Sequence, residues 1–178
     1  MSPRVLVAGV GNIFLGDDAF GVEVARRLAA EELPEGVRVE DVGIRGVHLA
    51  YELLEGWDEL ILVDASPRGE DPGTVYVIEP EPGEDRWQHV AAGEAPLLDA
   101  HGMEPDSLLS LLPLLGGRVG RILVVGCEPA EVTERIGLSE PVSRAVDEAV
   151  RMVKQLIGAG GTSAEGSHRA TGRVKEGG

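Results

Sequence analysis

The chain has 178 residues, which is enough for one well-packed core and too few for two full-sized domains. Its 31 acidic residues against 16 basic ones give a formal net charge of −15, which argues against nucleic acid or an anionic membrane as a partner. No stretch resembles a signal peptide or approaches membrane-spanning length, and the single cysteine, Cys127, cannot form an internal disulfide. We therefore expect a cytoplasmic protein, and the sequence leaves its oligomeric state open.

The first elements are a strand, a glycine-rich loop and a helix. Residues 5–8 are all apolar, a pattern typical of a strand buried on both faces, and Gly9 and Gly11 bound that strand. Apolar residues then recur every four positions over Phe20–Leu28, which predicts a helix with one buried face. This arrangement often binds a nucleotide phosphate at the start of the helix.

Two details of the glycine-rich loop favour a cation over a nucleotide. The dinucleotide fingerprint requires a third glycine where this chain has Phe14. Asp17 and Asp18 also place two carboxylates where a pyrophosphate would lie, and neighbouring negative charges repel each other unless a cation or protons intervene. The alternative interpretation is that one of the two aspartates caps the helix and the other is only solvated.

The next segment predicts a strand near the sheet edge, a short helix and a second buried strand. Alternating apolar residues indicate the edge strand over Val37–Val42, and the helix is predicted over Val47–Leu54. His48 lies on that helix without an acid or cysteine at a ligand spacing, so we interpret it as a surface or half-buried residue. The buried strand follows and ends at Asp64.

Asp64 lies at the carboxyl end of the third predicted strand. In an open parallel sheet, side chains at this end line the functional crevice. If the strand order begins 2-1-3, as the βαβαβ pattern allows, Asp18 and Asp64 face the same crevice from neighbouring strands. The alternative is that Asp64 is simply a turn residue that ends a strand.

A further strand and a long acidic segment come next. Gly73–Ile78 reads as a strand, and its connection from Asp64 is too short for a helical crossover, so we expect it to be antiparallel and at an edge. Glu79–Ala100 is acidic and rich in proline, which is typical of a lid or a partner-binding surface. The segment ends at His101, a candidate metal ligand, and His89 within it remains an alternative.

The following stretch predicts a helix over Asp106–Leu112 and a last buried strand over Arg121–Gly126. Cys127 follows that strand directly. A thiol can act as a nucleophile, but no partner histidine is identifiable by spacing. We therefore interpret Cys127 as a structural residue.

The final helix begins at Ser139 as its N-cap, with a proline at an early position. One apolar stripe runs along it and predicts a face packed on the sheet. Residues 1–157 therefore form the single predicted domain, and the glycine-rich residues 158–178 are predicted to be a disordered tail. The residues of the stripe are Val142, Val146, Val150, Val153 and Ile157.

Taken in order, these motifs resemble those of the nickel-iron hydrogenase maturation proteases, which remove a C-terminal extension from the hydrogenase large subunit after nickel insertion. The resemblance spans most of residues 4–157. It implies an α/β three-layer sandwich, in which a twisted, mostly parallel five-stranded sheet lies between helices on both faces, and the short connection adds one antiparallel edge strand. The stretches that carry the resemblance are Gly9–Gly21, Leu62–Ala65, His101 with the leucine-rich helix after it, Gly126–Pro129 and Ile136–Ser139.

The resemblance also implies a site and a substrate. Asp18, Asp64 and His101 are the implied nickel-binding and catalytic residues, and the nickel is supplied by the partner, a hydrogenase large-subunit precursor. Because no Ser-His-Asp or Cys-His nucleophile is assignable, water attack on a metal-polarised carbonyl is the more economical mechanism, while nickel as a recognition element only is left open. The rival functions are a non-catalytic nickel-binding chaperone and a nucleotide-binding module.

Overall fold

The computed structural model describes residues 2–79 and 119–160. Four features predicted from the sequence lie outside the described residues and stay predictions. They are the acidic segment beyond Glu79 with His89, the ligand His101, the helix over Asp106–Leu112 and the tail from residue 161 onward.

The described part of the chain forms five strands, a 3-10 turn and three α-helices. Their order and bounds are β1 (Val5–Val10), the 3-10 turn (Gly16–Ala19), α1 (Phe20–Ala29), β2 (Val37–Gly43), α2 (Gly46–Leu53), β3 (Trp57–Ala65), β4 (Val75–Ile78), β5 (Val119–Cys127) and α3 (Glu140–Gly160). Within these residues, no helix is both long and apolar enough to cross a membrane.

The strands form one sheet in the order β2-β1-β3-β5-β4. β1 pairs in parallel with β2 and β3, and β3 pairs in parallel with β5. β4 is antiparallel to β5 and lies at the edge, as expected for a strand that follows β3 after a short connection. The predicted mostly parallel α/β sheet, the order 2-1-3 at its start and the antiparallel edge strand are confirmed.

Helices cover both faces of the sheet, and alternation along each strand sends successive side chains to opposite faces. On the face covered by α1 and α3, called the α1/α3 face, Val7, Ile61 and Val125 pack in one core cluster with residues of both helices. On the opposite face, called the α2 face, Leu6 and Leu62 pack in a second cluster with residues of α2. The sheet is therefore the middle of three layers.

The helical stripes predicted from the sequence are the faces that the structure buries. Phe20, Val24 and Leu28 of α1 are fully buried against the sheet, and the five stripe residues of α3 are buried as well. α3 continues to Gly160, beyond the predicted end at Ile157. A glycine inside a helix costs only about 1 kcal/mol, so Gly158 does not end a helix whose preceding turns are packed on a core.

Candidate functional site

The candidate site lies at the carboxyl ends of β1 and β3. β1 lies between β2 and β3 in the sheet. The connection that leaves β1 contains α1 and covers one face, while the connection that enters β3 contains α2 and covers the other. Strand ends at such a reversal of strand order border a crevice, which is where open α/β sheets bind ligands.

Glycines let the start of α1 pack directly on the two strand ends. A Cβ added at Gly21 would overlap the carbonyl oxygens of Val63 and Val10, and one added at Gly9 would overlap the carbonyl oxygen of Gly21. Gly11 has φ 139°, and a Cβ there would overlap the Asp18 carbonyl. These glycines serve close packing within the chain, so their presence does not require a bound phosphate.

Asp17 is fully buried, although it carries a carboxylate. Its Oδ2 accepts hydrogen bonds from the backbone N–H of Ala130 at 2.8 Å and of Glu131 at 2.9 Å. The backbone N–H of Ser139 donates to Oδ1 at 2.6 Å, and the Ser139 hydroxyl donates to Oδ2 at 2.8 Å. Asp17 therefore joins the glycine-rich loop to the loop that precedes α3, which we call the 128–139 loop.

These hydrogen bonds decide the charge state of Asp17. Burial acts to raise the pKa of its carboxyl, but the donors from Ser139, Glu131 and Ala130 together hold that pKa below its usual value. The charged form is the one that four hydrogen bonds satisfy. Asp17 is thus a structural anion whose oxygens are occupied by the chain itself.

The interpretation of Asp17 or Asp18 as a cap of α1 is wrong. Neither makes a capping hydrogen bond, because the 3-10 turn makes Ala19 the N-cap residue and places both aspartates ahead of it. Backbone hydrogen bonds add to the contact between the two loops, from Gly16 N to Arg135 O at 2.9 Å and from Arg135 N to Phe14 O at 3.0 Å. The structural role of Asp17 was missed because its partners are more than a hundred residues away, and Ser139 was recognised only as an N-cap.

Asp18 differs from its neighbour in exposure and in partners. It is partly exposed, and its Oδ2 accepts a hydrogen bond from the backbone N–H of Asn12 at 2.7 Å. The 3-10 turn that carries it packs against β3. The structure therefore places Asp18 beside the β3 end, fixed by one hydrogen bond and accessible to a ligand.

Asp64 lies at that β3 end and is 9 % exposed. It shares strand parity with Leu60 and Leu62, so it belongs to the α2 face. Val63, the residue before it, is the one against which Gly21 packs. The prediction that Asp18 and Asp64 come from neighbouring strand ends is borne out by the sheet order, and their role in binding or catalysis stays a prediction.

Of the histidines considered as ligands, one lies within the described residues and two lie outside them. His48 is exposed on α2, which agrees with its interpretation as a surface residue. Its Nε2 lies 3.8 Å from Glu52 Oε1, so an acid one helical turn away does accompany it, contrary to the prediction from spacing. His101 and its alternative His89 lie outside the described residues. Within residues 2–79 and 119–160, no three His, Cys, Asp or Glu side chains lie together as a metal site would require.

Cys127 lies on the face opposite Asp64. It is fully buried in the cluster under α1 and α3, and its Sγ contacts the Glu128 carbonyl oxygen at 3.7 Å. Burial raises the pKa of the thiol to about 12, with the negative charges of Asp17, Glu128 and Glu148 acting in the same direction. A thiol so strongly held in its neutral form is a poor nucleophile, which supports the structural interpretation.

Sequence comparison finds a family model described as hydrogenase maturation protease, which matches residues 22–156. A putative hydrogenase maturation protease of Methanocaldococcus jannaschii is 32 % identical over 155 residues, covering 84 % of this chain and 93 % of that protein. The hydrogenase 2 maturation protease of Escherichia coli is 30 % identical over 168 residues, covering 90 % of this chain and 94 % of that protein.

Structure comparison agrees. The hydrogenase maturating endopeptidase HybD from E. coli superposes with a TM-score of 0.70 at 28 % identity, covering 89 % of this chain and 94 % of the other. A hydrogenase 2 maturation peptidase from a Thaumarchaeota archaeon gives a TM-score of 0.65 at 28 % identity, covering 87 % and 98 %. The resemblance drawn from the motifs is thereby confirmed.

Proposed function

Because the chain belongs to the hydrogenase maturation protease family, we propose that it is a nickel-dependent endopeptidase that removes the C-terminal extension of a nickel-iron hydrogenase large-subunit precursor after nickel insertion. The proposal goes beyond family membership in three respects: the nickel, the order of events and the residues that act. The observation that carries it is the pair of carboxylates at the ends of β1 and β3.

The proposed role of Asp18 and Asp64 differs from that of Asp17. Asp17 is fully buried and its oxygens are occupied by four hydrogen bonds from the 128–139 loop. Asp18 uses one oxygen for the Asn12 amide, and its Oδ1 has no hydrogen-bond partner within the described residues. Of the two adjacent acids, Asp18 is therefore the one suited to an external cation.

Nickel enters the proposal as part of the substrate. Carboxylate and imidazole groups suit a borderline divalent metal, and three ligands from this chain would complete the coordination of a nickel ion that the precursor already holds. Asp18, Asp64 and His101 are the proposed ligands, and the last enters through its resemblance to the family motif. Processing would then report that nickel has been inserted.

The same geometry allows a simple mechanism for peptide cleavage. Nickel held by the precursor and bound by Asp18, Asp64 and His101 would polarise the scissile carbonyl, so that a water molecule could attack its carbon. The hydroxyl of that water would stay on the acyl carbon, the peptide C–N bond would break, and the proton released by the water would pass to the leaving amine. Cys127 has no part in this step, because its thiol lies on the other face of the sheet with a raised pKa.

The direct test is to incubate the purified protein with nickel-loaded and with nickel-free precursor and to read the product mass. We expect the nickel-loaded precursor to lose its C-terminal extension and the nickel-free precursor to stay whole. Cleavage of both at equal rates would overturn the nickel dependence. A nickel-loaded precursor that is bound but left uncut would favour the rival chaperone.

The role of His101 can be tested within its own segment. His101→Ala should abolish processing because it removes the third proposed nickel ligand, whereas His89→Ala is the matched control and should process normally. If His89 proves essential and His101 dispensable, the ligand has been assigned to the wrong histidine.

The nucleotide-binding alternative makes a separate prediction. A ligand that binds only the folded state raises the melting temperature, so nucleotides would stabilise a nucleotide-binding module. We expect no such stabilisation, because the chain's own backbone occupies the space beside the loop glycines, where a phosphate would have to approach.

A further inference from the structure

A row of three residues crosses the sheet beside the candidate site. The strand register aligns Asp64 of β3 with Gly126 of β5, and Gly126 with Tyr76 of β4. Residues aligned in this way point to the same face, so all three belong to the α2 face. Asp64 is the member of the row nearest to β1 and Asp18.

The Tyr76 ring covers Gly126. A Cβ added at Gly126 would lie 2.5 Å from Tyr76 Oη and nearer still to two of the ring carbons. The ring therefore occupies the space that a side chain at Gly126 would need. Because β5 lies between β4 and β3, a ring lying over β5 reaches from the sheet edge toward Asp64.

The Tyr76 side chain is held at its hydroxyl and covered on its ring face. The Tyr76 hydroxyl donates a hydrogen bond to the backbone carbonyl of Ser66 at 2.8 Å, two residues after Asp64. The Ser66 N–H in turn donates to the Cys127 carbonyl at 3.0 Å. The guanidinium of Arg68 lies over the ring, with Cζ 5.2 Å from its centroid, and the Arg68 backbone N–H donates to the buried Glu128 carboxylate at 2.6 Å.

Electrostatics agree with this placement. Burial raises the pKa of the Tyr76 hydroxyl, and the negative charges of Asp64 and Glu128 act in the same direction. The hydroxyl therefore stays protonated and remains a donor to Ser66.

We propose that Tyr76 is a positioning residue for Asp64: its ring closes the β5 and β4 side of the crevice over Gly126, and its hydroxyl fixes the chain just after Asp64. With that side closed, the Asp64 carboxylate is directed toward β1 and Asp18. The inference rests on the proposed function for its effect on catalysis, while the arrangement itself can be tested without cleavage.

The arrangement can be disturbed from two sides. Tyr76→Ala removes the ring, and Gly126→Ala adds a methyl group where the ring lies. Misplacement of a catalytic group by about 1 Å can cost up to 100-fold in rate, so we expect each variant to lower kcat roughly 10- to 100-fold with KM nearly unchanged. Tyr76→Phe keeps the ring and loses the bond to Ser66, so kcat should fall by only about two- to tenfold, the equivalent of one hydrogen bond.

The double variant tests whether both changes act through one contact. Once the ring is absent, the added methyl group has nothing to displace, so Gly126→Ala with Tyr76→Ala should have the kcat of Tyr76→Ala alone. Val77→Ala is the matched control, because Val77 is the next residue of the same strand and points to the opposite face. It should keep the kcat of the parent, and all rates are measured well below the melting temperatures.

A second readout follows Asp64 itself in the full chain without precursor. In carbon-detected NMR, the side-chain carboxyl signal of Asp64 should be single and narrow in the parent and in Val77→Ala, and broadened or doubled in Tyr76→Ala and Gly126→Ala. If the parent leaves nickel-loaded precursor uncut, the proposed function fails, and this signal still decides the positioning role. An Asp64 signal equally narrow in all four proteins, or multiplicative losses of kcat in the double variant, would overturn the inference.

Discussion

Two adjacent rows of residues cross β3, β5 and β4 near the carboxyl end of β3, and the two rows differ in chemistry. Ala65, Cys127 and Val75 form one row, which packs in the core under α1 and α3. Asp64, Gly126 and Tyr76 form the other, on the α2 face. A shift of one residue along each strand thus separates an inert thiol from a candidate catalytic carboxylate, because strand side chains alternate between faces.

The largest effect is expected at the two candidate carboxylates, Asp64 in the row on the α2 face and Asp18 beside it. Asp64→Asn and Asp18→Asn each keep the shape of the side chain and remove a charged group that we propose to bind the metal, so each should lower cleavage of nickel-loaded precursor by about 100-fold or more. Product mass against time measures the loss, and circular dichroism checks the fold. Asp71→Asn changes an exposed acid on the loop before β4 and should cleave like the parent. An active, folded Asp64→Asn protein would show that the Asp64 carboxylate is not required for cleavage.

The next effect is on stability, at the contact between the glycine-rich loop, which leads to Asp18, and the 128–139 loop. Asp17→Ala leaves the N–H groups of Ala130, Glu131 and Ser139 without their acceptor, so it should lower the free energy of unfolding by about 3 kcal/mol or more. Ser139→Ala removes only the hydroxyl donor and should cost about 1 kcal/mol. Urea unfolding measures both. Equal losses for the two variants would show that Asp17 is not the centre of the contact.

The row that contains Cys127 should tolerate the loss of its thiol. Cys127→Ala removes one buried sulfur atom, so we expect a loss of about 1–2 kcal/mol in the free energy of unfolding and cleavage at the rate of the parent. Unfolding by urea and the cleavage assay are run on the same preparation. Precursor that is bound normally but no longer cut would restore a thiol mechanism.

The smallest effect concerns Glu59, at the opposite end of β3. Burial raises the pKa of Glu59, and the pairing with Arg121 at 3.4 Å offsets this only in part. A carboxyl whose pKa is higher in the folded state stabilises the fold at low pH and loses that contribution as pH rises through the folded pKa. The stability of the parent relative to Glu59→Gln should therefore fall from about pH 4 upward. A relative stability that rises with pH would contradict this account of Glu59.

Much of the fold could be predicted because it depends on local periodicity. The apolar run of residues 5–8 and the four-residue spacing over Phe20–Leu28 indicated the first strand and helix, and the short connection from Asp64 to β4 required an antiparallel edge. The approximate place of Asp64 followed from the βαβ pattern, because strand order decides which strand ends are neighbours.

The contacts around the site could not be predicted, because they join residues distant in sequence. Nothing near Asp17 indicates that its partners are Ala130, Glu131 and Ser139. The alignment of Tyr76 with Gly126 depends on strand register, which the sequence does not give. One signal was available: a glycine inside a buried strand, such as Gly126, often marks a close approach by another group.

Nickel X-ray absorption of the loaded precursor, alone and mixed with the protein and frozen before turnover, shows directly whether Asp18 and Asp64 bind the nickel. We expect that the parent adds oxygen donors to the nickel and that the double variant Asp18→Asn with Asp64→Asn adds fewer or none. A nickel spectrum that the parent leaves unchanged, under conditions in which it cleaves the precursor, would contradict the proposal that these two carboxylates bind the metal.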